Sequence, residues 1–160
     1  MTFTTADLCD AFGPVARVAA PIFRNYGGVI RFSGPIETLQ VSEDNGLVAQ
    51  VLDTAGQGRV LVVDGGGSLR CALLGGRLAA LAHSNGWAGL VINGCVRDSA
   101  EIREIPLGVR ATNSSPRRPG KTGSGQRGGI LSFAGVTFSP GHFLYADEDG
   151  VVLADRSLTG

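Results

Sequence analysis

Histidine and lysine are almost missing from this chain of 160 residues. His83, His142 and Lys121 are the only ones. Most acid–base and nucleophile chemistry draws on these side chains, so few routes remain open. Cysteine is also sparse. Cys9, Cys71 and Cys95 are an odd number at wide spacing, which fits neither a disulfide framework nor a zinc knuckle. Reduced, mostly buried thiols are expected. No apolar run reaches the ~20 residues of a membrane span. Met1 is followed by Thr2, Phe3, Thr4 and Thr5, without the basic and apolar regions of a signal peptide. Acids and bases balance at 14 each, so charge directs the chain to neither nucleic acid nor a membrane surface. A cytoplasmic location is expected.

What is abundant is apolar. The chain is 43% hydrophobic and 18% charged, as a globular chain is, and its length suits one domain over residues 1–160. Thr4 or Thr5 can cap a helix through Phe12, which Gly13-Pro14 stops. Pro21 to Ser33 reads as irregular chain with a turn at Gly27-Gly28. Ile36 to Val41 alternates like a half-buried strand. In Asn45 to Ala55, Leu47, Val48, Val51 and Leu52 share one helical face.

Val60-Leu61-Val62-Val63 is a continuous apolar run ending in Asp64-Gly65-Gly66-Gly67. A fully buried strand breaking into a glycine turn has this form. Leu69 to Asn85 has a helical pattern interrupted at Gly75-Gly76. Ala88 to Ile92 is a second buried strand ending at Asn93-Gly94, with Arg97-Asp98 just beyond. Two buried strands joined by a helix predict a βαβ unit, whose ligands bind at the carboxyl ends of the strands. Asn113 to Gly129, rich in Gly, Ser, Pro and Arg, predicts a long loop. Ile130–Phe133, Val136–Phe138, Phe143–Tyr145 and Val151–Leu153 predict short antiparallel strands, with turns at Ser139-Pro140-Gly141 and Glu148-Asp149-Gly150.

The glycine turn after Val63 matches neither the dinucleotide nor the P-loop pattern. Gly75-Gly76-Arg77-Leu78 restarts a helix, where free backbone N–H groups bind carboxylates, although packing alone also explains a glycine pair. Arg97-Asp98 as a bare dipeptide is an ordinary surface ion pair. Its place after a buried strand points further. Asp98 can be the single protein carboxylate on Mg²⁺, which keeps most of its waters. Arg97 can hold a substrate carboxylate or a developing enolate. Glu101, three residues on, reaches the same ion surroundings if residues 98–104 are helical. An aldolase forms a Schiff base on lysine or uses a metal. Lys121 sits in a Gly/Ser loop, which favours the metal route. His83 reads as a surface or interface residue and His142 as structural. Arg110, Arg117, Arg118, Lys121 and Arg127 read as a local basic patch, either solvated or attracting anions. Glu43 and Asp44 read as a solvated turn.

Together these segments carry a resemblance. Glu43-Asp44-Asn45-Gly46, the run from Gly58 to Gly67, Gly94 to Asp98, Pro106 to Val109 and Tyr145 to Val152 resemble the family named for the regulator of ribonuclease E activity A. That family also contains the 4-hydroxy-4-methyl-2-oxoglutarate aldolases. Enzymatic members carry Gly or Asp, twenty residues, then Arg-Asp, with an acid after two more in the Gly version. Gly76, residues 77 to 96, Arg97-Asp98 and Glu101 fit the Gly version. The acid that often follows is replaced by Ile102.

The resemblance implies a three-layer β/β/α swivelling-type α/β fold with a central parallel sheet and an antiparallel C-terminal sheet. It implies a homotrimer with sites near subunit interfaces. Residues Gly75, Gly76, Arg77 and Leu78 would bind the 2-oxo acid carboxylate, Arg97 the substrate, and Asp98 a divalent cation, Mg²⁺ or Mn²⁺. The implied lyase activity is cleavage of 4-hydroxy-4-methyl-2-oxoglutarate to two pyruvates, with a metal-bound water, or Glu43 or Asp44 reaching in from a neighbouring subunit, as the base, and with oxaloacetate decarboxylase activity through the same pyruvate enolate. The alternatives are a non-catalytic regulator of ribonuclease E-type RNA degradation, with a ribonuclease as partner, and a binding module that retains the site by descent.

Overall fold

The computed structural model describes residues 2–160. In chain order its elements are α1 (Thr5–Phe12), β1 (Arg17–Val18), β2 (Arg24–Asn25), β3 (Phe32–Gln40), α2 (Gly46–Leu52), β4 (Val60–Asp64), β5 (Ala72–Leu74), α3 (Gly76–Ser84) and β6 (Gly89–Val96). Then come α4 (Ser99–Arg103), β7 (Gly108–Ser114), β8 (Gln126–Arg127), β9 (Leu131–Phe133), β10 (Val136–Phe138), β11 (Phe143–Asp147) and β12 (Gly150–Ala154). Thr4 caps α1 by accepting from the Asp7 N–H, as its sequence predicts.

Strands β3, β4, β6 and β7 run parallel, in that order. Antiparallel β11, β12 and β1 extend the β3 side, and β2 pairs antiparallel with the far edge of β7. The two edge strands are close in sequence. From Val18 to Arg24 a chain spans at most about 21 Å, whereas eight strands laid flat would separate their edges by about 34 Å. The sheet therefore has to curl.

The parallel strands are buried on both faces. Leu61 and Val63 of β4 face a core shared with Val48, Leu52, Ala79 and Ile102 of the helices. Val60 and Val62 face Leu131, Phe138, Leu144 and Leu153 of the antiparallel strands. This is a β/β/α layering, and it explains the unbroken apolar run, since alternation disappears when both faces are covered. The expected C-terminal sheet divides in two: β9–β10 is a separate hairpin, while β11–β12 joins the curled sheet.

Strand β3 begins at Phe32 rather than Ile36, β2 and β8 fall in stretches expected to be irregular, and two further differences shape the site. Leu69 to Leu74 is not helical; Ala72–Leu74 is a strand beside β6, and the helix begins only at Gly76. β6 does not end at Asn93-Gly94 but continues to Val96 past an irregularity between Ile92 and Cys95. It therefore delivers Arg97-Asp98 to the sheet edge directly.

Candidate functional site

β6 ends where the chain has to turn from strand to α4. Asp98 makes that turn in the left-handed region, at φ 56° and ψ 41°, a conformation most residues avoid and Asp tolerates. Its carbonyl accepts from the Ile102 N–H at 2.9 Å and starts α4. Its carboxylate leaves its own helix uncapped and crosses to α3, where Oδ2 accepts from the Gly76 N–H at 2.9 Å. α3 has no side-chain cap of its own, because its N-cap is Gly75. Asp98 thus supplies negative charge where the helix dipole is positive. Sparsely populated backbone held in place this way is typical of functional sites.

The glycine pair makes the room. A Cβ on Gly75 would lie 2.9 Å from Asp98 Oδ2, and one on Gly76 would lie 2.0 Å from Glu101 Oε2. Glu101 therefore rests its carboxylate on the volume that a side chain at 76 would fill. Arg97 is half-buried, and its N–H donates to the Leu74 carbonyl at 2.9 Å. Arg97 and Asp98 form no ion pair with each other, so a simple surface pair does not describe the dipeptide.

Of residues 75–78, the Gly76 N–H is already committed to Asp98. Among the described residues the Gly75, Arg77 and Leu78 N–H groups are left as donors for an anion, since the Ala79 N–H donates to the Gly75 carbonyl. They border a cavity of about 290 Å³ whose other walls include Arg97, Asp98, Asn45 and Lys121. Lys121 is the residue that sequence reasoning missed as a neighbour. Its loop is fastened by Asp44, whose buried carboxylate accepts from the Thr122 N–H (2.7 Å), Thr122 Oγ1 (2.8 Å), Gly123 N–H (3.1 Å) and Gly46 N–H (3.0 Å). Burial pushes the Asp44 pKa up, but these donors outweigh it and bring it down from 3.8 to about 2. The Asp44-Asn45-Gly46 turn and the Thr122-Gly123 segment carry the signal in sequence, but no spacing links them.

Other expected roles move. Glu43 bonds Arg70 and Ser68, and the Asp44 carboxylate holds its loop. The basic patch breaks up. Arg110 is buried, bonded to Asn25, the Ile30 carbonyl and the Asp147 carbonyl, and Arg127 pairs with Glu37. Arg117, Arg118 and Lys121 remain. His83 is exposed at the end of α3, and His142 lies in the turn before β11. Cys71 and Cys95 are buried and free, with burial pushing both thiols up.

The donor set fits a magnesium-like ion. One Asp98 oxygen is held by Gly76 and the other is uncommitted in the protein's hydrogen bonding. Glu101 adds a second carboxylate at the same helix end. Among the described residues no three His, Cys, Asp or Glu side chains cluster as a complete metal cage. One or two carboxylates suit Mg²⁺ or Mn²⁺, which keep waters, and do not suit four-ligand zinc. The glycine turn after β4 offers no phosphate cradle. Its Gly65 and Gly67 N–H groups donate to the Asn93 carbonyl, and its Gly66 N–H to Asp64 Oδ1.

A layered α/β fold with Arg97 and Asp98 as a candidate site at the carboxyl edge of its parallel strands is thus the class of protein defined here. The family model described as Aldolase/RraA matches residues 5–153, and the chain belongs to this RraA-like family. It is 53% identical over 163 residues to a protein of Dechloromonas aromatica, covering 99% of this chain and 100% of that one. It is 55% identical over 158 residues to one of Alkalilimnicola ehrlichii, covering 99% and 98%. Both relatives are provisionally named 4-hydroxy-4-methyl-2-oxoglutarate aldolase. Among solved structures, it matches the RNA-processing inhibitor RraA of a Thermus bacterium with TM-score 0.96 and 46% identity over 100% and 97% of the two chains. A Geobacillus kaustophilus structure described as an S-adenosylmethionine:2-dimethylmenaquinone methyltransferase matches with TM-score 0.95 and 51% identity over 98% and 97%. Among the described residues no helix is long and apolar enough to cross a membrane.

Proposed function

We propose that the protein is a divalent-metal-dependent lyase that cleaves 4-hydroxy-4-methyl-2-oxoglutarate to two pyruvates, and that it decarboxylates oxaloacetate at the same site. One observation carries this reading: the Asp98 carboxylate is pinned at the α3 N-terminus beside Arg97, in a cavity otherwise rich in positive groups. Both reactions break the C3–C4 bond, one carbon from the 2-oxo group, and leave pyruvate enolate; in the cleavage the 4-hydroxyl proton passes to water, and in both reactions the enolate takes a proton from water. Asp98 would hold Mg²⁺ or Mn²⁺, with Glu101 close to its waters. The ion, when bound, supplies a Lewis acid that polarises the 2-oxo group.

The chain's own residues bind the substrate and offset its charge. The Arg77 and Leu78 N–H groups receive the 2-oxo acid carboxylate. The Arg97 guanidinium offsets the negative charge that develops on the 2-oxo oxygen as the bond breaks, and the half-buried surroundings strengthen that interaction. The names of the two aldolase relatives support the reading. It includes a homotrimer with sites near subunit contacts, and a cytoplasmic location.

A second reading, a non-catalytic regulator of ribonuclease E-type RNA degradation, draws on the likeness to the Thermus inhibitor. The intact Arg97-Asp98-Glu101 set favours the enzyme. A methyltransferase reading has less support, because the turn after β4 spends its amides internally. The test is pyruvate release from oxaloacetate with Mg²⁺ and then with a chelator. Metal-dependent release is expected. Release no faster than the spontaneous rate would sink the lyase reading.

A further inference from the structure

Lys121 is exposed on the wall of the same cavity as Asp98, and among the described residues no carboxylate pairs with it. Its backbone is not loose. Besides the Asp44 bonds to Thr122 and Gly123, the Asn45 N–H donates to the Gly120 carbonyl (3.0 Å) and the Gly120 N–H to the Glu43 carbonyl (2.9 Å). The Ala72 N–H donates to the Arg117 carbonyl at 2.8 Å. The loop is therefore tied both to β5 and to the turn leading into α2, the two elements that flank the cavity.

The charges around it are lopsided. Among the described residues, Arg77, Arg97 and Lys121 border the cavity without a carboxylate partner, and Asp98 is the one acidic wall residue. Across Pro119, which borders both spaces, lies a wider opening of about 820 Å³. There Arg117 and Arg118 are likewise without carboxylate partners, and Glu43 is occupied by Arg70. A ligand with a single carboxylate leaves most of this positive charge unanswered.

We propose that Lys121 is a specificity-determining residue: its ammonium receives a second carboxylate of the substrate, while the α3 N-terminus receives the 2-oxo acid end. Arg117 and Arg118 draw such dianions toward the opening. The inference rests on the proposed function for the orientation of the 2-oxo acid, and it adds the residue that selects dicarboxylates over monocarboxylates. A flexible ammonium suits this role, as it meets a carboxylate as a point charge at variable distance.

Binding of two unreactive ligands in Mg²⁺ tests it by calorimetry. 2-Oxoglutarate and 2-oxopentanoate share a five-carbon chain and the 2-oxo acid end, and differ by a terminal carboxylate against a methyl. One charge-assisted contact predicts that the protein prefers 2-oxoglutarate by about 10- to 100-fold. Lys121→Met keeps the stem and removes the charge. It should bring that ratio close to 1 while changing 2-oxopentanoate affinity less than about twofold. Lys121→Arg should keep most of the preference.

A ratio unchanged in Lys121→Met overturns the assignment, and so does equal weakening of both ligands. Binding of neither ligand overturns it together with the lyase reading. A Lys121-dependent preference in a protein that cleaves no 2-oxo acid sinks the lyase reading and leaves the assignment standing. Cleavage with a Lys121-independent preference does the reverse.

Discussion

Gly76→Ala separates a glycine needed by the site from one needed by the fold. The new methyl would sit 2.0 Å from Glu101 Oε2 and 2.2 Å from its carboxyl carbon, where ordinary contact begins at 3.4 Å. Both atoms belong to the far end of a flexible side chain, so Glu101 can swing away. Forcing it off its rotamer costs about 0.5–1.5 kcal/mol. Alanine returns about 0.5–1 kcal/mol relative to glycine inside a helix, and less at this first helical position. The two nearly cancel, so the melting temperature should move by no more than about 4 °C. The site should suffer more. Displacing a carboxylate beside a bound ion typically costs about 10- to 100-fold in metal affinity or turnover. Glu101→Ala should give the same loss, and the double variant should lose no more than either single one. The assay is thermal melting together with Mg²⁺-dependent pyruvate release. Melting lowered by 10 °C or more (roughly 3 kcal/mol), equally with Glu101 present or absent, would refute this account, because the glycine would then serve backbone packing. Full turnover in Gly76→Ala would refute it as well.

Asp44→Ala should strip the loop of its anchor. Four donors lose one buried acceptor, which costs about 2–4 kcal/mol after water re-solvates the exposed side, and residues 115–125 should become the first site of limited proteolysis; cleavage there no faster than in the parent protein would contradict the anchoring role. Acid should act on the same group. Asp44 falls from 3.8 to about 2 on folding, and Asp147 is also lowered, since its bonds to Thr5 and Asp149 outweigh burial, which raises it. A depressed folded value means that the unfolded chain binds more protons in between. The stabilisation is therefore complete above pH 4 and lost as pH falls toward 2. Denaturant titrations between pH 5 and 2 should show this slope, and Asp44→Ala should flatten it.

The sequence made the scaffold legible where burial leaves a pattern. Val60 to Val63 reads as a strand covered on both faces, and the structure puts alternate residues of it in different cores. Thr4 and Gly13 mark both ends of α1. Leu69 to Leu74 was illegible because a three-residue strand has no period to read, and its identity comes from pairing with β6. Arg110 looked like a neighbour of Arg117 in sequence, but its strand turns it inward to Asn25 and the Asp147 carbonyl. The site was half legible. Arg97, Asp98 and Glu101 lie close together in the chain, and Gly76 is tied to them by spacing. Lys121 joins them through a loop that donates to Asp44, 78 residues before Thr122, and pairs its backbone with Glu43, Asn45 and Ala72, and no local pattern encodes such contacts.

Asp98→Asn bears on the central claim most directly. Asn tolerates the left-handed backbone and can still accept from the Gly76 N–H, so melting should stay within a few degrees of the unaltered protein. The amide cannot hold a divalent cation as the carboxylate does. Pyruvate formation from 4-hydroxy-4-methyl-2-oxoglutarate in Mg²⁺ should therefore fall by about 1000-fold, the scale of losing one key electrostatic group. A folded Asp98→Asn protein that releases pyruvate at near-normal, metal-dependent rates would contradict the account.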